Sequence, residues 1–344
     1  METLAAIIFV LMYMLIVSEK VHRTIVAMMG AIIMIIAGIM PVDTALHHID
    51  FNTLGLLIGM MILVSVTAKT GLFDYVAIKT AKAAKAQPRR LLIYLGIITA
   101  VFSAFLDNVT TVLLMVPVTF AITNKLHIPV VPFLLTQILA SNVGGTATLI
   151  GDPPNIMIGS EAGITFAEFV RYDGPVVLVI MAVHLVIFYF MYGRKFSVAE
   201  ENVREVMALD ADEMIKDKTL FVKSIAMILL VAAAFMLHGV LHIETSVIAL
   251  TAAAVMTLIS GLDLEVAIEG IEWGTIGFSL GLFMVVGGME HTGVIEMLGH
   301  AIIDVTGGDV VLMMLIILWA SAILSAILDN IPFVATMIPI LLVM

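Results

Sequence analysis

Residues 175–192 read PVVLVIMAVHLVIFYFMY without one acidic or basic residue other than His184, and runs of this kind recur along the whole chain. About 20 apolar residues carry an α-helix across the hydrocarbon of a bilayer. A helix also pairs its own amides, which that solvent cannot do for it. Apolar runs near 4–18, 24–40, 53–68, 174–193, 219–238, 246–260 and 275–289 therefore predict membrane spans. Interrupted apolar segments lie at 91–123, 131–160 and 311–344. A mean hydropathy of +1.16 with only 12% charged residues excludes a soluble globular domain. The expected fold class is an all-α polytopic membrane protein.

The N-terminus METLAAIIFVLMYMLIVSEK has neither a basic leading region nor a small-residue cleavage site, so 4–18 is expected to be a retained first helix. The absence of cysteine excludes disulfides, thiolate metal sites and cysteine nucleophiles. The charge distribution carries the topology. Residues 69–90 hold Lys69, Lys79, Lys82, Lys85, Arg89 and Arg90 against Asp74, which predicts a cytoplasmic loop. The linker 194–218, with Arg194, Lys195, Arg204, Lys216 and Lys218, is expected on the same side. No Lys or Arg follows Lys223.

The chain repeats itself. IDFNTLG at 49–55 matches IEWGTIG at 271–277, an offset of 222 that also pairs Gly59 with Gly281 and Thr70-Gly71 with Thr292-Gly293. The same offset pairs SAFLDNV (103–109) with SAILDNI (325–331), and Pro117 with Pro339. A duplicated membrane unit is implied: 1–193 as the first repeat, 194–218 as a cytoplasmic linker and 219–344 as the second. The basic loop 69–90 corresponds to 291–312, which has no Lys or Arg but carries Glu296, Asp304 and Asp309. Opposite loop chemistry at equivalent positions predicts opposite sides of the membrane, the inverted repeat of secondary transporters. The partner of 140–160 falls beyond Met344, so a second repeat shortened at its C-terminus is expected.

Two polar interruptions carry the chemistry. ASNVGGTATLIGDPPNIMIGS at 140–160 predicts a helix to Asn142, a break through Gly144-Gly145 and Gly151-Asp152-Pro153-Pro154, and a helix again from Asn155. Backbone outside a helix at bilayer depth leaves costly unpaired amides unless it lines a cavity or binds something. Helix N-termini attract anions and C-terminal carbonyls attract cations. Ser141, Asn142, Thr146, Thr148 and Asn155 add neutral oxygen ligands. The second interruption, FLDNVTTVLLMVPVT at 105–119, predicts a re-entrant hairpin with Asp107, Asn108, Thr110 and Thr111 at its tip, and Asp329-Asn330 repeats it. Asp107, Asp152 and Asp329 have no Lys or Arg near them in sequence. Such acids bind a cation or take up a proton, and oxygen ligands suit Na⁺ or H⁺. His238 and His242, spaced i, i+4 near Glu244, are read as interfacial rather than metal-binding.

FLDNVTT followed by NVGGTATLIGDPPN, together with DFNTLGLLIGMMILVSVTAKTGLFDYVAIKTAK at 50–82, resembles the ion transporter superfamily. Within it the chain is most similar to the ArsB/NhaD group and its pink-eyed dilution (P) protein-like permeases. The resemblance implies a homodimer with a scaffold domain and an elevator-type transport domain carrying two hairpins and two unwound helices. It makes Asp107 to Thr111 the first hairpin tip, Ser141-Asn142 with Gly144, Gly145 and on to Asn155 the first unwound loop, and Asp329-Asn330 the second tip. Na⁺ is expected near Asn108, Asn142 and Asn330.

The expected function is an ion-coupled carrier in the cytoplasmic (inner) membrane for a small inorganic anion or metalloid of the arsenite or antimonite type. No cofactor is expected beyond the coupling Na⁺ or H⁺; a cytoplasmic ATPase partner is left open. The alternatives are a Na⁺/H⁺ antiporter and a passive anion channel. An intramembrane aspartyl protease is disfavoured because Leu149 in TLIGD breaks the GxGD signature, and there is no HExxH.

Overall fold

The computed structural model describes residues 1–193, 196–326 and 328–344. Arg194 and Lys195, counted above among the linker charges, lie outside the described residues, as does Ile327 of SAILDNI. Among the described residues the regular elements are all helical. The chain opens with α1 (Glu2–Val17), α2 (Arg23–Ile36), α3 (Val42–His47), α4 (Phe51–Lys69), α5 (Leu72–Ala83), α6 (Pro88–Ser103) and α7 (Asn108–Lys125). Next come α8 (Val131–Gly145), α9 (Pro153–Ala162), α10 (Phe166–Met191) and the short surface helix α11 (Glu200–Ala208). The remainder holds α12 (Lys218–Leu241), α13 (Thr245–Ser260), α14 (Leu264–Ile268), α15 (Trp273–His291), α16 (Val294–Thr306), α17 (Val310–Ser325) and α18 (Asn330–Val343).

Several helix bounds and turns recur at the offset of 222 residues. Helices α4 and α15 start and end at residues 222 apart, and so do α6 and α17. The turns repeat as well. Gly71 and Gly293 take φ of 81° and 79°, and Lys85-Ala86 is answered by Gly307-Gly308, all four left-handed. Glycine relieves that conformation in the second copy, whereas Lys85 and Ala86 bear it in the first.

Two elements differ from the sequence reading. The basic stretch 69–90 is not a loop throughout, because α5 buries Leu72, Phe73, Ala77, Ile78 and Ala81 at helical spacing. Its lysines masked an amphipathic pattern. In the polar segment, α8 continues through Gly144-Gly145 and α9 starts at Pro153 rather than Asn155. Proline suits the first turn of a helix, where no amide partner is needed. Gly144 stays helical because its bare Cα lies on α6: a Cβ there would meet the carbonyl oxygen of Ala100 at 2.2 Å.

The chain forms two compact units. Unit 1 is Met1–Leu57, Ser160–Gly163 and Glu272–Met344; unit 2 is Ile58–Gly159 and Ile164–Ile271. Each unit joins the opening helices of one repeat to the closing helices of the other: α1–α3 with α15–α18 in unit 1, α12–α14 with α5–α7 and most of α4 in unit 2. The same packing contact is thereby made twice. In unit 2 a Cβ on Gly59 would lie 2.5 Å from the Ala249 backbone; in unit 1 a Cβ on Gly281 would lie 2.7 Å from that of Ala27. Both partners are 222 residues apart. The contact of Gly270 with Ser65 in unit 2 likewise returns in unit 1 as Gly287 with His48. Small residues let helix backbones approach where burial of apolar surface supplies no drive in lipid.

Four helices are long and apolar enough to cross a membrane by length and composition: Phe51–Lys69, Phe166–Met191, Lys218–Leu241 and Trp273–His291. In addition α16 and α17 form one apolar pair bent by 120°. Helix α17 buries none of its residues, and α10 and α12 expose long Leu, Ile and Val faces. Such surfaces belong against acyl chains rather than water. The protein is a multi-pass integral membrane protein.

Candidate functional site

Unit 2 assembles the two polar interruptions into one site. Helix α6 ends at Ser103, and the chain turns through 104–107 into α7. Asp107 caps α7: its Oδ1 accepts the Thr110 amide at 2.8 Å, which sets a carboxylate at the positive end of the helix. Asn108, the first residue of α7, donates from Nδ2 to Asn142 Oδ1 at 3.1 Å and to Asp152 Oδ2 at 3.2 Å. One side chain therefore ties the start of α7 to the last turn of α8 and to the residue that precedes α9. Asp107, Asn108, Thr110 and Asp152 are half-buried, and Asn142 and Thr146 are exposed. Among the described residues no Lys, Arg or His forms an ion pair with Asp107.

Behind this face lies a buried frame. Ser141 Oγ donates to the Asn108 carbonyl at 2.8 Å, and Ser103 Oγ donates to the Ser141 carbonyl at 2.7 Å. Thr148 Oγ1 donates to the Ala104 carbonyl. Asn155 Nδ2 donates to the carbonyls of Gly145 at 3.0 Å and Thr148 at 2.9 Å, so the acceptors freed where α8 ends are paired by a side chain of α9. Gly145 and Gly151 lie backbone to backbone: a Cβ on Gly145 would meet the Gly151 oxygen at 2.7 Å. Buried Gln137 accepts from Thr119 Oγ1 at 3.0 Å and donates to Thr99 Oγ1 at 3.2 Å, which locks α6, α7 and α8 together. Thr111 Oγ1 is buried with no hydrogen-bond partner among the described residues.

The structure thus brings Asp107, Asn108, Thr110, Asn142, Thr146 and Asp152 together on an accessible face, with Ser141, Gly144, Gly145, Thr148 and Asn155 in the frame behind it. Thr111 is buried in the first turn of α7. The electrostatic character is acceptor-rich. Pro153 and Pro154 remove two amides from the start of α9, and the Asn155 amide is bonded to Asp152 O at 3.0 Å, so this helix start presents few donors to an anion.

Asp329 and Asn330 lie in unit 1. Asp329 caps α18 in the same backbone conformation as Asp107, φ −59° and ψ 145° against −63° and 152°. Asn330 Oδ1 accepts the Ile331 amide at 2.9 Å. Sequence proximity had given Asp329 no cationic neighbour, but the fold supplies one: Arg23, at the start of α2, forms an ion pair with it. Arg23 was invisible as a partner because it stands 306 residues away in no motif. Gln137 and Ser103 were missed too, although the repeated SAxLDN of both copies contains the signal for Ser103. His238, read above as interfacial rather than metal-binding, accepts the Phe166 amide at 2.9 Å and so caps α10.

Broken helices whose ends meet at carboxylates and amides, in a lipid-facing helical chain, are consistent with a secondary transporter. Residues 13–344 match the citrate transporter family, and the chain belongs to that family. It is similar to a protein of Mycobacterium tuberculosis named an uncharacterized transporter, 44% identical over 99% of this chain and 80% of the relative. It is also similar to the 46 kDa membrane protein of Mycobacterium leprae, 40% identical over the same shares. The P protein of Sus scrofa is 30% identical over 99% of this chain and 50% of its own length.

Proposed function

We propose that the chain is a cation-coupled carrier of a small anion in the cytoplasmic membrane, and that Asp107, Asn108, Asn142 and Asp152 hold the coupling Na⁺ or H⁺. The observation that carries this reading is the Asn108 side chain joining α7, α8 and the Asp152 carboxylate beside an Asp107 that no basic side chain among the described residues neutralises. A half-buried carboxylate in that setting gains from a cation or a proton. An anion entering an acceptor-rich site needs positive charge to come with it. The coupling ion supplies that charge, and the Thr110 hydroxyl with the Asn108 and Val109 amides at the start of α7 supplies donors.

The family's description supports a citrate-like carboxylate as cargo. The motif resemblance to the ArsB/NhaD group supports arsenite or antimonite instead. The lack of a basic partner for Asp107 among the described residues favours a second reading, a Na⁺/H⁺ antiporter with no anion at all. The test is flux in proteoliposomes loaded with a pH-sensitive dye, with Asp107→Asn as control. Citrate or arsenite uptake that needs an inward Na⁺ or proton gradient and is lost in the variant supports the carrier. A proton flux after a Na⁺ pulse without either solute promotes the antiporter. Gradient-independent flux would return the channel to first place.

A further inference from the structure

The two tips share one backbone design and differ in one atom that changes their chemistry. Asp107 is pinned to its own helix because Thr110 has an amide hydrogen to give. The residue 222 positions on from Thr110 is Pro332, which has none, and Asp329 makes no side-chain bond to the helix it caps. Its carboxylate is turned instead to Arg23, whose guanidinium also lies 5.1 Å above the Phe278 ring. The counterparts of Arg23 and Phe278 in the other copy are Thr245 and Leu56, so the pair has no equivalent there. A further contact exists in unit 1 alone: Tyr13 OH donates to the Pro332 carbonyl at 2.5 Å, where the other copy has Phe235 and Thr110. Helices α1 and α2 thus hold the second tip by a charge and a hydroxyl.

We infer that Arg23 is a built-in counter-ion that takes, at Asp329, the place a coupling cation takes at Asp107, so that only the first tip couples transport to an ion. This rests on the proposed function for the site around Asp107. The argument is electrostatic: a guanidinium in a charge-assisted bond to a carboxylate satisfies both the charge and the lone pairs that a Na⁺ would. Four chains, wild type, Arg23→Gln, Asp329→Asn and the double variant, are compared by thermal melting of the purified protein, which needs no transport.

Each single change is expected to lower the melting temperature by about 2–4 °C, and the double variant to melt no lower than the worse single one. Arg23→Lys, which keeps the charge, should retain most of the wild-type value. Additive losses in the double variant would overturn the pair. In proteoliposomes, Asp329→Asn should keep the cation dependence of whatever flux remains, while Asp107→Asn loses it. Loss of that dependence in Asp329→Asn would make Asp329 a coupling acid and overturn the inference. A wild type with no cation dependence would overturn the proposed function and the stand-in role together, while the melting cycle still decides the ion pair.

Discussion

Asn155 and Thr111 show how differently two buried polar residues at one site are used. The Asn155 amide pairs the Gly145 carbonyl at the end of α8 and the Thr148 carbonyl in the turn that follows. Removing a partner from a buried acceptor costs about 1–3 kcal/mol, so Asn155→Ala is expected to destabilise the protein by about 2 kcal/mol or more, read as a lower melting temperature of the purified chain. Thr111 Oγ1 bonds to nothing within the described residues, so the hydroxyl contributes no stability that a methyl of the same shape would forfeit. Thr111→Val should melt at or above the wild-type temperature. If its coupled flux also falls, the hydroxyl is retained for the ion rather than for the fold. Both residues were picked out by the polar motifs, but their division of labour was not. Residue type and spacing say that oxygens gather here, whereas burial and pairing depend on which helix lies behind them.

The helices themselves were largely legible. The apolar runs at 53–68, 246–260 and 275–289 fall inside α4, α13 and α15, because span length and apolar composition are local properties. Helix α5 was not, since its buried stripe is short and lies among lysines. The close approaches of helix to helix were readable only as repeated glycines. Gly59 on Ala249 and Gly281 on Ala27 are one contact made twice, which gives an internal control. Gly59→Ala and Gly281→Ala should each cost about 1–3 kcal/mol, because the new Cβ meets backbone that cannot turn aside. Melting curves showing one loss without the other would mean that the two copies are packed differently. Gly144→Ala, set against Ala100 behind the site, should destabilise similarly and lower flux as well, since it pushes α8 off α6.

For the molecule as a whole, the repeat predicts a topology. If the two copies are inverted, positions 82 and 300 face opposite sides of the membrane. Lys82→Cys and His300→Cys, introduced singly into a chain that has no other cysteine, should then react with an impermeant thiol reagent from opposite faces of oriented vesicles. Labelling of both from one face would refute inversion. The composition of the compact units gives the duplication a further meaning. Because α1–α3 pack with α15–α18, and α12–α14 with the closing helices of the first copy, neither repeat completes a unit alone. A half-chain ending in the linker is therefore expected to lack stable packing around both Gly59 and Ala27, and co-expression of the two halves to restore melting.

The sequence by itself determined the membrane class, the helix periods, the motif pairs at an offset of 222 and the residues of the two polar interruptions. All of these are written in local composition or in self-similarity, which need no knowledge of the fold. Only the tertiary structure decided that Asn108 bridges α7, α8 and Asp152, and that Asn155 closes the end of α8. It alone set Arg23 on Asp329. Those are contacts between residues far apart in the chain, and which side chain meets a carboxylate depends on how helices cross. The Thr110 and Pro332 pair joins the two levels: one missing amide hydrogen, plain in the sequence, acquires its consequence only once α2 brings a guanidinium to the carboxylate it leaves unpinned.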